Sequence, residues 1–222
     1  MPSRAPRRKK TPRVVTPQEC LISDRVELPA GFKRRRTIHR NLVDRRDPMF
    51  DWIEGAKVFV EVGSQWGWLA YRAAKNLPEC MIYCVDPWWE DRASAQEWEG
   101  AHNFYEWQEN IKEWLGWKVF GLRGTSLEVV DFFKDGSIDA VFIDADHSTD
   151  GVMKDLLLWV PKVRKGGVIL GHDWDGLWGK FVRPAVMKYF EPLGATVTAD
   201  LGYCGKKGER MSPVWRVNKT WD

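Results

Sequence analysis

Val141, Phe142 and Ile143 run directly into Asp144, Asp146 and His147, with only Ala145 among the charged residues. The apolar triplet, β-branched and aromatic, is the composition of a buried strand. Two carboxylates and an imidazole do not follow it into a core, because an unpaired buried charge is too costly. The stretch therefore predicts a strand that leaves the core and delivers its polar residues to the carboxyl edge of a sheet. In open α/β sheets that edge is where ligands bind. A chain carrying it must supply parallel neighbours and helices on both faces.

The remaining pattern supplies them. Residues 57–63 form the first apolar run, ended by Gly63, and a helical stretch over 68–77 stops at Pro78. Residues 81–86 predict a second strand ending in Asp86 and halted by Pro87. Over 93–115, Phe104, Trp107, Ile111 and Trp114 fall on one helical face. A third strand is expected over 117–122, and a helix over 126–133 with Thr125 or Ser126 as N-cap. The opening strand, 138–144, precedes a helix over 149–160 whose apolar side carries Val152, Leu156, Leu157 and Trp159. Residues 166–171 read as a fifth strand ending in His172 and Asp173, followed by a helix over 181–190 and late strands near 195–201 and 213–217. Alternating strand and helix argues a doubly wound, mostly parallel, Rossmann-like α/β sheet of seven strands.

Charge divides the chain. Residues 1–46 hold 14 Lys/Arg against 4 Asp/Glu, a net of +10, whereas residues 47–222 carry a net of −7. Residues 1–48 are expected to be a basic, partly disordered leader with at most a short helix near 37–46, and 49–222 the folded domain. A basic leader suits an anionic partner such as nucleic acid. No apolar run approaches the ~20 residues that span a bilayer, so no membrane is expected. Cys20, Cys80, Cys84 and Cys204 form no CxxC pair. A reducing cytoplasm fits, without a disulfide or a zinc site.

The first glycine turn narrows the ligand. It reads Glu61, Gly63, Gly67, with two glycines only. That is neither the G-x-G-x-x-G of a dinucleotide fold nor a Gly-Lys-Ser/Thr phosphate loop. Two glycines beside a carboxylate suit a ligand that brings a cation and a ribose, and Asp86 stands where both ribose hydroxyls can be accepted.

Taken together, Glu61-Val-Gly-Ser-x-x-Gly67, Asp86, Phe142-Ile-Asp-Ala-Asp-His147 and Gly166-Gly-Val-Ile-Leu-Gly-His-Asp173 resemble the class I S-adenosylmethionine-dependent methyltransferases. Within that class the resemblance is to the small-molecule O-methyltransferases of the macrocin and cephalosporin-biosynthesis type, over residues 58–174. The resemblance implies that Gly63 and Gly67 let the backbone approach the methionine part of S-adenosylmethionine, with Glu61 and Ser64 nearby. It implies that Asp86 holds the ribose and that Thr125 and Ser126 pass the adenine. It further implies a divalent metal, Mg²⁺ in the type case, held by Asp144 and by the pair His172 and Asp173. The histidine departs from the acidic pair of the family, and imidazole suits other divalent ions better than Mg²⁺.

Methyl transfer to a hydroxyl needs a group that removes the proton. His147 is the favoured base because imidazole titrates near neutrality, with Asp146 as its orienting carboxylate or as an alternative base. Thr149 stands where the family carries a tyrosine. Of the 14 tryptophans, Trp107 and Trp114 are expected in the core, and Trp88, Trp89, Trp174 and Trp178 on the ligand edge as an aromatic wall. The expected activity is O-methylation of a small molecule of sugar or phenol type. Two alternatives stand beside it: an RNA or protein methyltransferase using the basic arm, and a cofactor-binding module without catalysis.

Overall fold

A computed structural model describes residues 20–34, 47–88, 95–200 and 213–222. Its elements run β1 (Leu21–Ile22), a 3₁₀ turn (Asp47–Ile53), β2 (Val58–Val62), α1 (Trp68–Asn76), β3 (Met81–Asp86) and α2 (Ala95–Ile111). They continue with β4 (Val119–Arg123), α3 (Ser126–Val129), β5 (Ile138–Ile143), α4 (Thr149–Trp159), β6 (Val163–Gly171), α5 (Gly176–Phe190), β7 (Thr198–Asp200) and β8 (Val214–Asn218).

All the strands join one sheet in the order β1-β4-β3-β2-β5-β6-β8-β7. The five central strands are parallel. The outer pairings of β1, β7 and β8 are antiparallel. Side chains alternate across the sheet as the two-residue period of a strand requires. Phe59, Phe142 and Leu170 face a core built with Leu69 and Ala73 of α1 and Phe104, Trp107 and Ile111 of α2. Val60, Val141 and Ile169 face the opposite core, with Leu156 and Trp159 of α4 and Val182 and Val186 of α5. Each large side chain so covered contributes about 1.5–3 kcal/mol, so the sheet is held from both sides.

From β2 the chain winds outward through β3 to β4, then returns to lay β5 on the other side of β2 and winds outward again to β6. The turns after β2 and β5 therefore diverge and open a crevice between neighbouring strand ends, the arrangement that accepts ligands in such sheets. The register puts Val62 beside Ile143, so Gly63 and Asp144 emerge side by side.

Several expectations need correction. Among the described residues the sheet has eight strands rather than seven, because Leu21–Ile22 pairs with Leu122 and Gly121 at the β4 edge. A two-residue strand leaves no periodic trace, and this one lies in the stretch read as leader. The third strand starts at Val119; Trp117 belongs to the preceding turn and is 63% exposed. The helix expected over 126–133 is one α-turn followed by a 3₁₀ turn. β6 begins at Val163, ahead of its glycines, and α5 begins at Gly176, where Asp175 caps it by accepting from the Gly176 N–H. Leu157 is 58% exposed and does not join the apolar side of α4. The helix expected near 37–46, together with Trp89 and Cys204, lies outside the described residues. Cys20, Cys80 and Cys84 are buried. No helix among the described residues is long and apolar enough to cross a membrane.

Candidate active site

Both glycines of the first turn are required by close approach. Gly63 has φ 94°, and a Cβ there would lie 2.2 Å from the Asp144 carbonyl oxygen. Gly67 has φ 81°, and its Cβ would meet the Trp107 ring at 2.8 Å. Only glycine tolerates both the left-handed backbone and the contact. Beneath the turn, Glu61 is buried and accepts the Ser64 hydroxyl at 2.7 Å. Burial pushes its carboxyl up to about 8, with the charges of Asp144 and Asp86 adding to the effect.

Asp86 is held by the turn beside it. Its carboxylate accepts the Gln65 N–H and the Trp88 N–H, each at 2.8 Å. Gln65 and Trp88 both have positive φ, 47° and 37°, so two strained residues bracket one carboxylate. Strain of this kind, about 1–3 kcal/mol per residue, persists where surrounding structure enforces it and concentrates at functional sites. Trp88 is the expected wall residue that the structure moves. It is 1% exposed, its indole donates to the Gln65 carbonyl at 2.6 Å, and its ring packs on Phe104 and Trp107. It supports the turn from within the core, drawn there by the apolar face of α2.

A cleft of about 920 Å³ opens along this edge, walled by Gly63, Asp86, Thr125, Ser126, Asp144 and Asp155 among others. That is the size of a small-molecule site. Glu61, Ser64 and Gly67 are not part of its wall and act from behind it. Thr125 starts α3, and the Glu128 carboxylate accepts both its N–H and its hydroxyl. The Ser126 hydroxyl is the middle of a buried chain: Trp159 donates to it at 3.0 Å, and it donates to Asp155 at 2.6 Å. Burial pushes Asp155 up to about 6. Sequence reading missed Asp155, although its position signals it, since the residue shares the inward face of α4 with Val152 and Trp159.

Beyond the cleft, Asp144, His147, His172 and Asp173 converge. His147 Nε2 lies 3.2 Å from Asp144 Oδ1 and 2.8 Å from Asp173 Oδ2. These hydrogen bonds raise the imidazole to about 10 against the opposing effect of burial. Burial alone would raise the Asp173 carboxyl, but the two histidines reverse that and hold it well below its usual range. His147 thus carries its proton at neutral pH while both carboxylates face it, which differs from the neutral imidazole expected of a free base. Its ring stacks on Trp178, with centroids 5.2 Å apart and planes 19° apart. Trp178 is 42% exposed and, with Phe181, lines a recess of about 700 Å³ that shares Ala145, Asp146 and His147 with the cleft. Trp174 instead packs partly buried against the core, with the Arg183 guanidinium over its ring.

Asp146 faces away from this centre. Its Oδ1 accepts the Ser148 N–H at 2.9 Å, and its carboxyl fills the space where a Cβ on Gly151 would lie, 2.3 Å from Cγ. Ser148 in turn caps α4 by accepting the Gly151 N–H. Asp146 is therefore bound into the turn that presents His147.

The donor atoms of Asp144, His147 and Asp173 all lie within 4.8 Å of one another, compact enough to converge on one cation. The resemblance implied Asp144, His172 and Asp173; in the structure His147 takes the inner place. His172 Nδ1 stays 3.8 Å from Asp144 and 3.5 Å from Asp173, while its buried Nε2 has no partner among the described residues. Asp173 has φ 55°, and the His172 carbonyl is tied to the Trp215 indole at 3.0 Å.

Comparison with known proteins bears on this geometry. The signature of the family described as "Methyltransferase domain" matches residues 60–174. An uncharacterized protein, y4gI, of Sinorhizobium fredii is 24% identical over 159 residues, which are 65% of this chain and 17% of that protein. The chain thus spans about a sixth of that relative's length. Among solved structures, cofactor-bound Rv0187 from MTB superposes with a TM-score of 0.63 at 16% identity, over 85% of this chain and 84% of that one. An O-methyltransferase from Bacillus cereus in complex with SAH gives 0.55 at 17% identity, over 79% and 80%. An rRNA methylase from Streptococcus thermophilus gives 0.54 at 11% identity, over 78% and 95%. Identities this low speak for the fold alone, and the fold serves acceptors as different as these names imply.

Proposed function

The chain belongs to the methyltransferase-domain family, and from that membership we propose that it transfers the methyl group of S-adenosylmethionine to a hydroxyl of a small, ring-bearing molecule. One observation carries the reading: the cleft beside Asp86 and the recess beside Trp178 meet at His147. A cofactor along the first and an acceptor in the second bring their reacting atoms together there.

The roles follow from the contacts. Asp86 accepts the ribose hydroxyls with the lone pairs its backbone bonds leave free, and Thr125, Ser126 and Asp155 border the adenine. The methyl group moves from sulfur to the acceptor oxygen in one in-line displacement, and the hydroxyl proton leaves as the new bond forms. His147 is the proton acceptor in this reading. While both carboxylates face it, it keeps its proton to about pH 10, so it serves as a base only when Asp144 and Asp173 are otherwise engaged. Alternatively, Asp144, His147 and Asp173 would hold a divalent cation, and His147 would then be a ligand and not the base; two oxygens and one nitrogen suit Mn²⁺, Fe²⁺ or Zn²⁺ better than Mg²⁺. Bound there, such an ion supplies a Lewis acid that lowers the pKa of an acceptor hydroxyl.

The recess favours a neutral ring over an acidic polymer. Trp178 and Phe181 offer flat apolar surface, while the charged residue in the recess wall besides His147 is the acidic Asp146. The basic leader supports the polymer reading, but among the described residues no lysine or arginine lines the recess. Methyl transfer from labelled S-adenosylmethionine to a panel of phenols and sugars, with and without Mn²⁺, tests the proposal. We expect product with a ring acceptor, a rise with the ion, and loss of about 100-fold or more in Asp173→Ala. Turnover on structured RNA with none on any small acceptor would contradict it.

A further inference from the structure

Asn110, near the end of α2, is buried between two parts of the chain far from it in sequence. Its Nδ2 donates to the Trp66 carbonyl at 2.8 Å, and its Oδ1 accepts from the Arg34 guanidinium. The Trp66 carbonyl belongs to the 66–67 peptide of the glycine turn. The other end of that peptide, the Gly67 N–H, donates to the Ser64 carbonyl at 2.8 Å. Both ends of one peptide unit in the turn are thus tied, one of them through α2 to Arg34.

Arg34 belongs to an N-terminal strap that α2 holds at several points. The Gln108 amide closes two bonds with the Val26 backbone, each 2.6 Å, as a strand would. Arg25 pairs with Glu109, and Phe32 packs on the rings of His102 and Tyr105 with centroids 5.0 and 5.7 Å away. On its other side α2 lays Trp107 against Gly67.

We propose that one contact of this strap, Arg34 acting through Asn110, sets the shape of the cofactor turn, which makes Arg34 a positioning residue for S-adenosylmethionine binding. The proposal rests on the methyl-transfer reading above. An amide has a donor end and an acceptor end, and its neighbours decide which way it faces. Arg34 requires the oxygen; Trp66 requires the nitrogen. Without the guanidinium the amide is free to rotate, and the Trp66 carbonyl loses its fixed donor. Gly67, in the left-handed region, lets the 66–67 peptide turn at little cost. Gly63 and Gln65 of the same turn wall the cleft, so a looser turn is a less preorganised site. Preorganisation acts on affinity, while the chemical step depends on the cluster around His147.

Two readouts test it on the full chain and on Arg34→Ala, Arg34→Lys, Asn110→Ala and Arg25→Ala: amide hydrogen exchange over residues 63–67 without ligand, and the KM–kcat split for S-adenosylmethionine. Arg34→Ala and Asn110→Ala are expected to speed exchange in the turn and raise KM by about five- to tenfold, the scale of one lost hydrogen bond, with kcat within about twofold. Arg34→Lys restores part of both effects. Arg25→Ala, which loosens the strap at Glu109 without touching Asn110, leaves both near wild type even if it lowers the melting temperature. Unchanged exchange and KM in Arg34→Ala, or equal effects from Arg25→Ala, would overturn the proposal. A wild-type chain that binds no S-adenosylhomocysteine would contradict the methyl-transfer reading instead, and the exchange measurement would still decide whether Arg34 governs the turn.

Discussion

Glu61 shows how much a single residue can carry from beneath the glycine turn. It lies under the glycine turn, buried, with Ser64 as its hydrogen-bond donor. Its carboxyl titrates near 8 in the folded chain against an ordinary 4.5. A raised folded-state pKa means that the folded chain binds the extra proton between those values. Glu61 therefore contributes most to stability below about pH 4.5, and that contribution is lost as pH rises through about 8. Glu61→Gln keeps the shape and removes the titration. Relative to wild type it should be more stable at pH 9 than at pH 5 by roughly 2–5 kcal/mol, measured by urea denaturation at both pH values; an equal difference at both would contradict this. Residue types at the site were readable in sequence, since Gly63, Asp86, Thr125, Ser126, Asp144 and His147 all line the cleft. Their reasons were not. Gly63 is demanded by the Asp144 backbone, and the grouping of His147, rather than the expected His172, with Asp144 and Asp173 is a matter of tertiary placement that no spacing announces.

At the scale of elements, the turn from β5 into α4 is the piece on which the proposed reaction depends. Asp146, Ser148 and Gly151 lock it: one carboxylate fills the place of the missing Cβ and accepts the Ser148 N–H. Gly151→Ala must displace Asp146 and with it the turn that carries His147. The expected cost is about 1–3 kcal/mol of stability, together with a fall in kcat of roughly 100-fold from misplacement of the reacting groups. Thermal melts and steady-state kinetics on one preparation separate the two, and wild-type kcat in the variant would contradict the role given to the turn. Strand and helix cores were legible because their apolar periods are strong. Element starts were less so. The last helix was expected over 181–190, yet Asp175 and Gly176 are the cap and first residue of α5, because a capping side chain and a flexible glycine look alike in a loop and at a helix start.

The molecule as a whole joins a basic N-terminal stretch to an acidic body. The alternation of elements predicted a doubly wound, mostly parallel sheet, while the strand order that opens the crevice between β2 and β5 comes from the structure. The strap was not, because Gln108 binds Val26 through a side-chain amide and leaves no hydrophobic pattern behind. The two parts of the leader also make separate predictions. Deleting residues 1–19, which keeps the strap, should leave turnover on a small acceptor within about twofold and independent of salt, whereas a nucleic-acid substrate would show a steep salt dependence that the deletion flattens. The central claim is that the crevice beside Asp86 is the S-adenosylmethionine site, and calorimetric titration with S-adenosylhomocysteine tests it most directly. The account predicts saturable binding to the wild-type chain at one site, weakened by roughly tenfold or more in Asp86→Ala through loss of charge-assisted bonds to the ribose. No binding to the wild-type chain, or equal binding to a folded Asp86→Ala variant, would contradict it.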